Sequence, residues 1–133
     1  MDHATLRVAP DSTYKIYDAL FGLEENVITP EDSFIAWNGE SYPFEAWNAD
    51  QTLQSAMASS VNWYFQSVDE QLGTASVYDY IKEIGYGNEN ISGDFSTYWM
   101  ESSLEISPVE QVELLIKLQN NRFDFAPENI NAV

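Results

Sequence analysis

A chain of 133 residues in which 44% are apolar, with seven Phe, eight Tyr and four Trp, is long enough to bury one core and too hydrophobic to stay disordered. The lack of cysteine excludes a disulfide framework, a zinc-thiolate site and a cysteine nucleophile, and a single histidine, His3, in a polar amino-terminal stretch leaves nothing to build a metal cluster from. Twenty-two acidic residues against Lys15, Lys82, Lys117, Arg7 and Arg122 give a formal charge of −17, a field that repels nucleic acid and anionic membrane surfaces, so neither is expected as a partner.

No internal repeat, low-complexity linker or composition break divides the chain, so residues 1–11 read as an amino-terminal tail and 12–133 as a single helical domain. Pro10-Asp11-Ser12 precedes a helix from Thr13 to Phe21, with Ile16, Leu20 and Phe21 on one face and Gly22 as its stop. From Val27 to Asp50, Pro30, Gly39 and Pro43 alternate with Phe34, Trp37, Tyr42, Phe44 and Trp47, the pattern of turns anchored by buried rings. Asp50 is expected to cap a short helix from about Thr52 to Ala58. A longer one follows from about Val61 to Gln71, ended by Gly73, and another from Ser76 to Ile84, ended by Gly85.

Ser107-Pro108-Val109-Glu110 combines a capping serine, proline at the first helical position and a glutamate that reaches back to the cap. The helix it opens extends to about Asn120, with Val109, Val112, Leu115, Ile116 and Leu118 read as a stripe packed on the core. Pro127-Glu128 opens one more short helix. No long alternating strand appears, and the longest apolar runs are too short for a signal peptide core or a spanning helix, so the chain as given reads as soluble and mainly α.

Ser12-Thr13-Tyr14-Lys15 places a hydroxyl and an amine on one face of a helix's first turn, a nucleophile beside a base. The unpaired N–H groups and positive dipole end of that turn favour an alkoxide-like transition state and a lowered lysine pKa. Taken singly, Ser12 reads as a helix cap and Lys15 as a solvated charge. A second cluster, Ser59-Ser60-Val61-Asn62-Trp63, reads singly as another cap, Tyr86-Gly87-Asn88 as a turn, and Trp99 as a core aromatic.

In this order, Ser-x-x-Lys, Ser-x-Asn some 45 residues on, Tyr-Gly-Asn and then Trp99 resemble the penicillin-recognising serine acyl-enzyme superfamily, of the class D β-lactamase and β-lactam sensor-transducer kind. The similarity runs from about residue 7 to the end and includes the text around Trp47-Asn48, Asp50 to Met57 and Val109 to Val112. It implies the helical subdomain of the β-lactamase/transpeptidase-like fold and a place on the extracytoplasmic side of a bacterial membrane. Ser12 would attack the β-lactam carbonyl, Lys15 would be the base, and Ser60 would pass a proton or contact the ring nitrogen. Tyr86, Gly87, Asn88 and Trp99 would border the substrate. No cofactor is implied, apart from the CO2-derived carbamate that class D relatives form on the lysine matching Lys15, held in part by the tryptophan matching Trp99. Those hydrolases carry an apolar residue where this chain has Asn62. An amide there resembles the sensors and the cell-wall transpeptidases, and it is expected to bond Lys15 in competition with the carbamate.

The family's third motif, a Lys-Thr/Ser-Gly strand, has no counterpart, since neither Lys82 nor Lys117 is followed by that pair, and the residues for a five-stranded sheet are missing. Loss of one oxyanion donor costs on the order of 3 kcal/mol of transition-state stabilisation. The expected function is therefore a penicillin-binding, sensor-type domain with little or no activity of its own. An apolar face left bare by the sheet would favour association between copies. A non-catalytic helical scaffold or interaction module, natural or engineered, is the alternative, and a class D β-lactamase the third.

Overall fold

The computed structural model describes residues 5–100 and 102–133, which leaves His3 outside the described residues. A 3-10 turn, Asp11–Tyr14, leads into α1, Lys15–Glu24, and another spans Glu45–Trp47. Then follow α2, Leu53–Ala58, α3, Asn62–Leu72, α4, Thr74–Ile84, α5, Pro108–Gln119, and α6, Pro127–Ala132. Extended pairing among the described residues consists of two isolated antiparallel bridges, Val8 with Ile106 and Ile35 with Gln51. The fold is the expected mainly helical one.

Helix α1 is the centre of the molecule. Tyr17 through Leu23 are all buried, and α3 and α6 pack against it. Gly22 does not stop this helix, contrary to expectation: α1 runs two residues further, and the chain turns at Asn26, whose φ is +58°. Gly22 instead permits close approach, because a Cβ there would stand 2.8 Å from Val68 Cγ1 on α3. Around α1 the aromatic rings of Tyr14, Tyr17, Phe21, Tyr86, Tyr98 and Trp99 form one cluster, with the Tyr14 centroid 5.4 Å from Tyr86 and 5.6 Å from Tyr98.

Several local expectations need correction. Helix α2 is capped by Thr52, which forms a capping box with Ser55, while the Asp50 carboxylate accepts the Trp37 backbone N–H at 2.8 Å. The rings of the 27–50 segment are not its buried anchors: Phe34 and Phe44 are 56% and 60% exposed, and Tyr42 and Trp47 are half-buried. On α5 only Leu118 of the expected stripe is buried, together with Leu114; Val109, Val112, Leu115 and Ile116 face outward. The 3.6-residue period of that helix is real, but with apolar residues on two faces it cannot tell which one the rest of the chain covers. Helix α4 starts two residues earlier than expected, directly after Gly73.

The Ser107 capping box is present as expected, with Ser107 Oγ accepting the Glu110 N–H and Glu110 Oε1 accepting the Ser107 N–H, both at 3.1 Å. Arg7 donates twice to the same carboxylate at 2.9 Å, which with the Val8 bridge ties down the second part of the stretch read as a tail. The guanidinium and the cap donors hold Glu110 well below the usual carboxylate range, at about 2.

Gly87 is the position where backbone geometry demands glycine. Its φ is +49°, and a Cβ there would run into the Glu105 carbonyl oxygen. Gly87→Ala combines left-handed strain with a backbone clash and is expected to cost about 3 kcal/mol. Thermal unfolding should show a fall in Tm of roughly 10 °C; an unchanged Tm would mean that the 86–88 turn is not held against residues 103–105.

Candidate active site

The 3-10 turn and the first residue of α1 place Ser12 at the surface and Lys15 beneath it, 3% exposed. Ser12 is not a helix cap, since the turn is flanked by Pro10 and no side chain caps it. Nor is Lys15 a solvated charge. Its ammonium donates to Ser60 Oγ at 2.6 Å, to the Ser60 carbonyl at 3.0 Å and to Ser12 Oγ at 3.3 Å, which accounts for all three of its N–H groups. The two hydroxyls lie 3.2 Å apart. Phe65 from α3 and Trp99 wall the amine, with ring centroids 5.6 and 5.7 Å from Nζ.

Ser60 reaches this position because of its backbone. Its φ of +53° lies in the left-handed region, a cost of about 1–2 kcal/mol for a residue with a Cβ. In that conformation its carbonyl and hydroxyl both meet Lys15, and the ammonium's bonds offset the strain. The cap position of α3 falls on Val61, so Ser60 is no cap either. With no carboxylate to oppose it, burial lowers the Lys15 amine to about 8. A fraction of the amine is then neutral near physiological pH and can accept the Ser12 proton.

Asn62 stands at the start of α3 on the same opening, but its amide does not bond Lys15 as expected; Nδ2 donates to Met100 Sδ at 3.4 Å. A cleft of about 330 Å³ lies over the hydroxyls, lined by Ser12, Phe44, Trp47, Ser59, Ser60 and Asn62. The exposed Phe44 ring therefore belongs to the mouth of the site. Trp47 fixes that mouth by donating its indole N–H to the Ser59 carbonyl at 3.0 Å. A larger open groove of about 740 Å³, along Thr74, Tyr78 and Ile91, contains neither Ser12 nor Lys15.

Tyr86, Gly87, Asn88 and Trp99, expected to border a substrate, line no part of that cleft. Tyr86 is buried in the aromatic cluster against Tyr14 and Tyr17. Asn88 clamps the chain opposite: its side chain donates to Ser103 O at 2.9 Å and accepts the Glu105 N–H at 3.0 Å. Trp99 contributes a wall to the lysine chamber, and its indole N–H donates to Asp69 Oδ2 at 3.3 Å. Phe65, Asp69 and Asp18 were missed from the sequence, although a lone acid within the apolar run of α1 was a visible signal for Asp18.

A family model for the penicillin binding protein transpeptidase domain matches residues 2–132. The chain is 49% identical over 130 residues to the regulatory protein BlaR1 of Bacillus licheniformis, an alignment that covers 98% of this chain and 22% of that protein. The solved C-terminal domain of the B. licheniformis BlaR penicillin-receptor superposes with a TM-score of 0.94 at 48% identity, over 97% of this chain and 52% of that one. A class D β-lactamase from Bacillus subtilis superposes with a TM-score of 0.94 at 37% identity, over 98% and 55%. The chain thus spans about half the length of these structures and about a fifth of BlaR1. Ser12, Lys15 and Ser60 meeting at one opening of a helical subdomain, with relatives of both the receptor and the hydrolase kind, place the chain in the penicillin-binding protein transpeptidase domain family, close to the BlaR1 sensors and the class D β-lactamases.

Proposed function

We propose that this chain is the serine-bearing helical part of a penicillin-binding sensor domain, acylated by β-lactams at Ser12. The observation that carries the reading is the buried Lys15 amine, in contact with both the Ser12 and the Ser60 hydroxyls. Ser12 Oγ attacks the lactam carbonyl as the neutral Lys15 amine takes its proton. The lactam C–N bond then breaks, and the ring nitrogen receives that proton through Ser60. The product is an ester on Ser12 with the ring opened.

Two features favour a stalled acyl-enzyme over turnover. Every N–H of Lys15 is committed to the two serines, and the Trp99 indole N–H, which would steady a carbamate on that lysine, is engaged by Asp69. Lys15 then works as a free amine, and without the carbamate the site lacks the base with which class D relatives activate a hydrolytic water. None of the three lysines precedes a Thr/Ser-Gly pair, so these 133 residues supply no substrate-carboxylate anchor of that kind. Acylation by this chain is therefore slow. By analogy with the receptor, such a domain would face the outside of a bacterial membrane. No helix among the described residues is long and apolar enough to cross one.

Intact-mass spectrometry after prolonged incubation with benzylpenicillin should show one penicillin added to the wild-type chain and none to Ser12→Ala. An adduct that survives in the variant would place the nucleophile elsewhere, and steady nitrocefin turnover would establish a hydrolase instead. The adduct should also form faster as pH rises, by about tenfold per unit below the Lys15 value of about 8 and levelling above it. A flat profile from about pH 6 to about pH 9 would remove Lys15 as the base.

A further inference from the structure

Beneath the lysine chamber lie two acids that the acylation chemistry does not use. Asp18 on α1 is 0% exposed and Asp69 on α3 is 1% exposed, and the two carboxyl groups lie close enough for the charge of one to act on the other. Their surroundings are unequal. Asp69 accepts the Tyr98 hydroxyl at 3.1 Å on Oδ1 and the Trp99 indole N–H at 3.3 Å on Oδ2. Neither oxygen of Asp18 meets an N–H or O–H donor from the described residues.

We propose that Asp18 and Asp69 hold one proton between them, carried by Asp18 and donated to Asp69, and that the remaining carboxylate on Asp69 is the positioning group that fixes Trp99 against Lys15. Two adjacent carboxylates sealed from water cannot both stay ionised, and a proton on Asp18 gives its otherwise unpartnered carboxyl a hydrogen bond to make to Asp69. The donors decide its place, because Asp69 already receives two and Asp18 none. Burial and the neighbouring acid both push Asp18 upward, whereas the Tyr98 and Trp99 donors oppose the rise at Asp69.

Among the described residues no cation acts on the pair. The other titratable groups around it are phenols: Tyr14, whose hydroxyl meets that of Tyr98 at 2.8 Å, with Tyr17 and Tyr86 behind it, all pushed upward by burial. Lys15 lies across the Trp99 ring, with its N–H groups turned to Ser12 and Ser60. Because Asp69 holds the indole edge, the ring face is what Trp99 presents to the amine. Any bearing on acylation rests on the reading of Ser12 and Lys15 given above, while the shared proton does not.

The test is NMR on the labelled full chain, which has only four indole N–H groups. At neutral pH one carboxyl of the pair should give the chemical shift of a protonated acid, and the Trp99 indole N–H should resonate downfield as a donor to a carboxylate. Asp18→Asn replaces the acid with an amide that donates to Asp69 in the same place, so the Trp99 resonance stays; Asp69→Asn moves it upfield. A carboxyl whose pKa is raised by folding binds its proton more tightly in the folded state, so its contribution to stability is lost as pH rises. Wild-type Tm should accordingly fall relative to Asp18→Asn as pH rises above the ordinary aspartate value of 3.8. Two ionised carboxyls at neutral pH, or a Trp99 shift in Asp18→Asn equal to that in Asp69→Asn, would overturn the proposal. If Asp69→Asn does not fold, the wild-type carboxyl shifts and the Asp18→Asn profile still decide. A wild-type chain that takes up no penicillin counts against the acylation reading alone.

Discussion

A helix enclosed by protein on every side must satisfy its polar atoms without water, and α1 carries two ionisable groups into that enclosure, Lys15 at its first turn and Asp18 one turn on. The arrangement of both ends of the molecule's chemistry follows from how each is accommodated. Lys15 lies near the surface, where three oxygen acceptors from two serines replace its hydration shell. Asp18 lies deeper, beside another acid. Burial without a counter-charge moves the amine down and the carboxyl up, and in both cases the neutral form gains.

The rest of the chain serves largely to close that enclosure. The described residues between Tyr98 and Ile106 belong to no helix. They are fixed instead by the Asp11 N–H on Trp99 O, by the Asn88 side chain on residues 103 and 105, and by the Val8 bridge. These bonds set Trp99 and Tyr98 under α1. Ser60 arrives from the opposite side, in a left-handed backbone conformation in which it bonds Lys15 and Ser12. The site is thus assembled by loops on a rigid aromatic floor, and the strain is concentrated where the chemistry lies.

Surface and interior solve opposite electrostatic problems. The excess of acids that gives the chain its charge of −17 is borne outside, where water screens it. Inside, the described residues hold one buried cation, Lys15, and two buried acids, Asp18 and Asp69. The outward apolar residues of α5, from Val109 to Ile116, sit uneasily in such a surface, and their pattern is that of a helix with two apolar faces rather than one.

Helix existence and most helix ends were legible in the amino-acid sequence because they depend on local chemistry. The Ser107–Glu110 box, the Gly73 and Gly85 stops and the short carboxy-terminal helix after Pro127 need only neighbours within a few residues. The motif residues Ser12, Lys15 and Ser60 were legible by spacing and resemblance, for the same reason. Facing was not legible. Which side of α5 is covered, whether Phe44 is an anchor or a rim, and whether Gly22 ends a helix or admits α3 are decided by elements from other parts of the chain. So are the choice of Met100 over Lys15 by the Asn62 amide and the meeting of Asp18 with Asp69. Periodicity and capping are properties of one segment, whereas a buried polar atom takes its partner from whatever the packed chain brings within reach, and only the tertiary structure determines that.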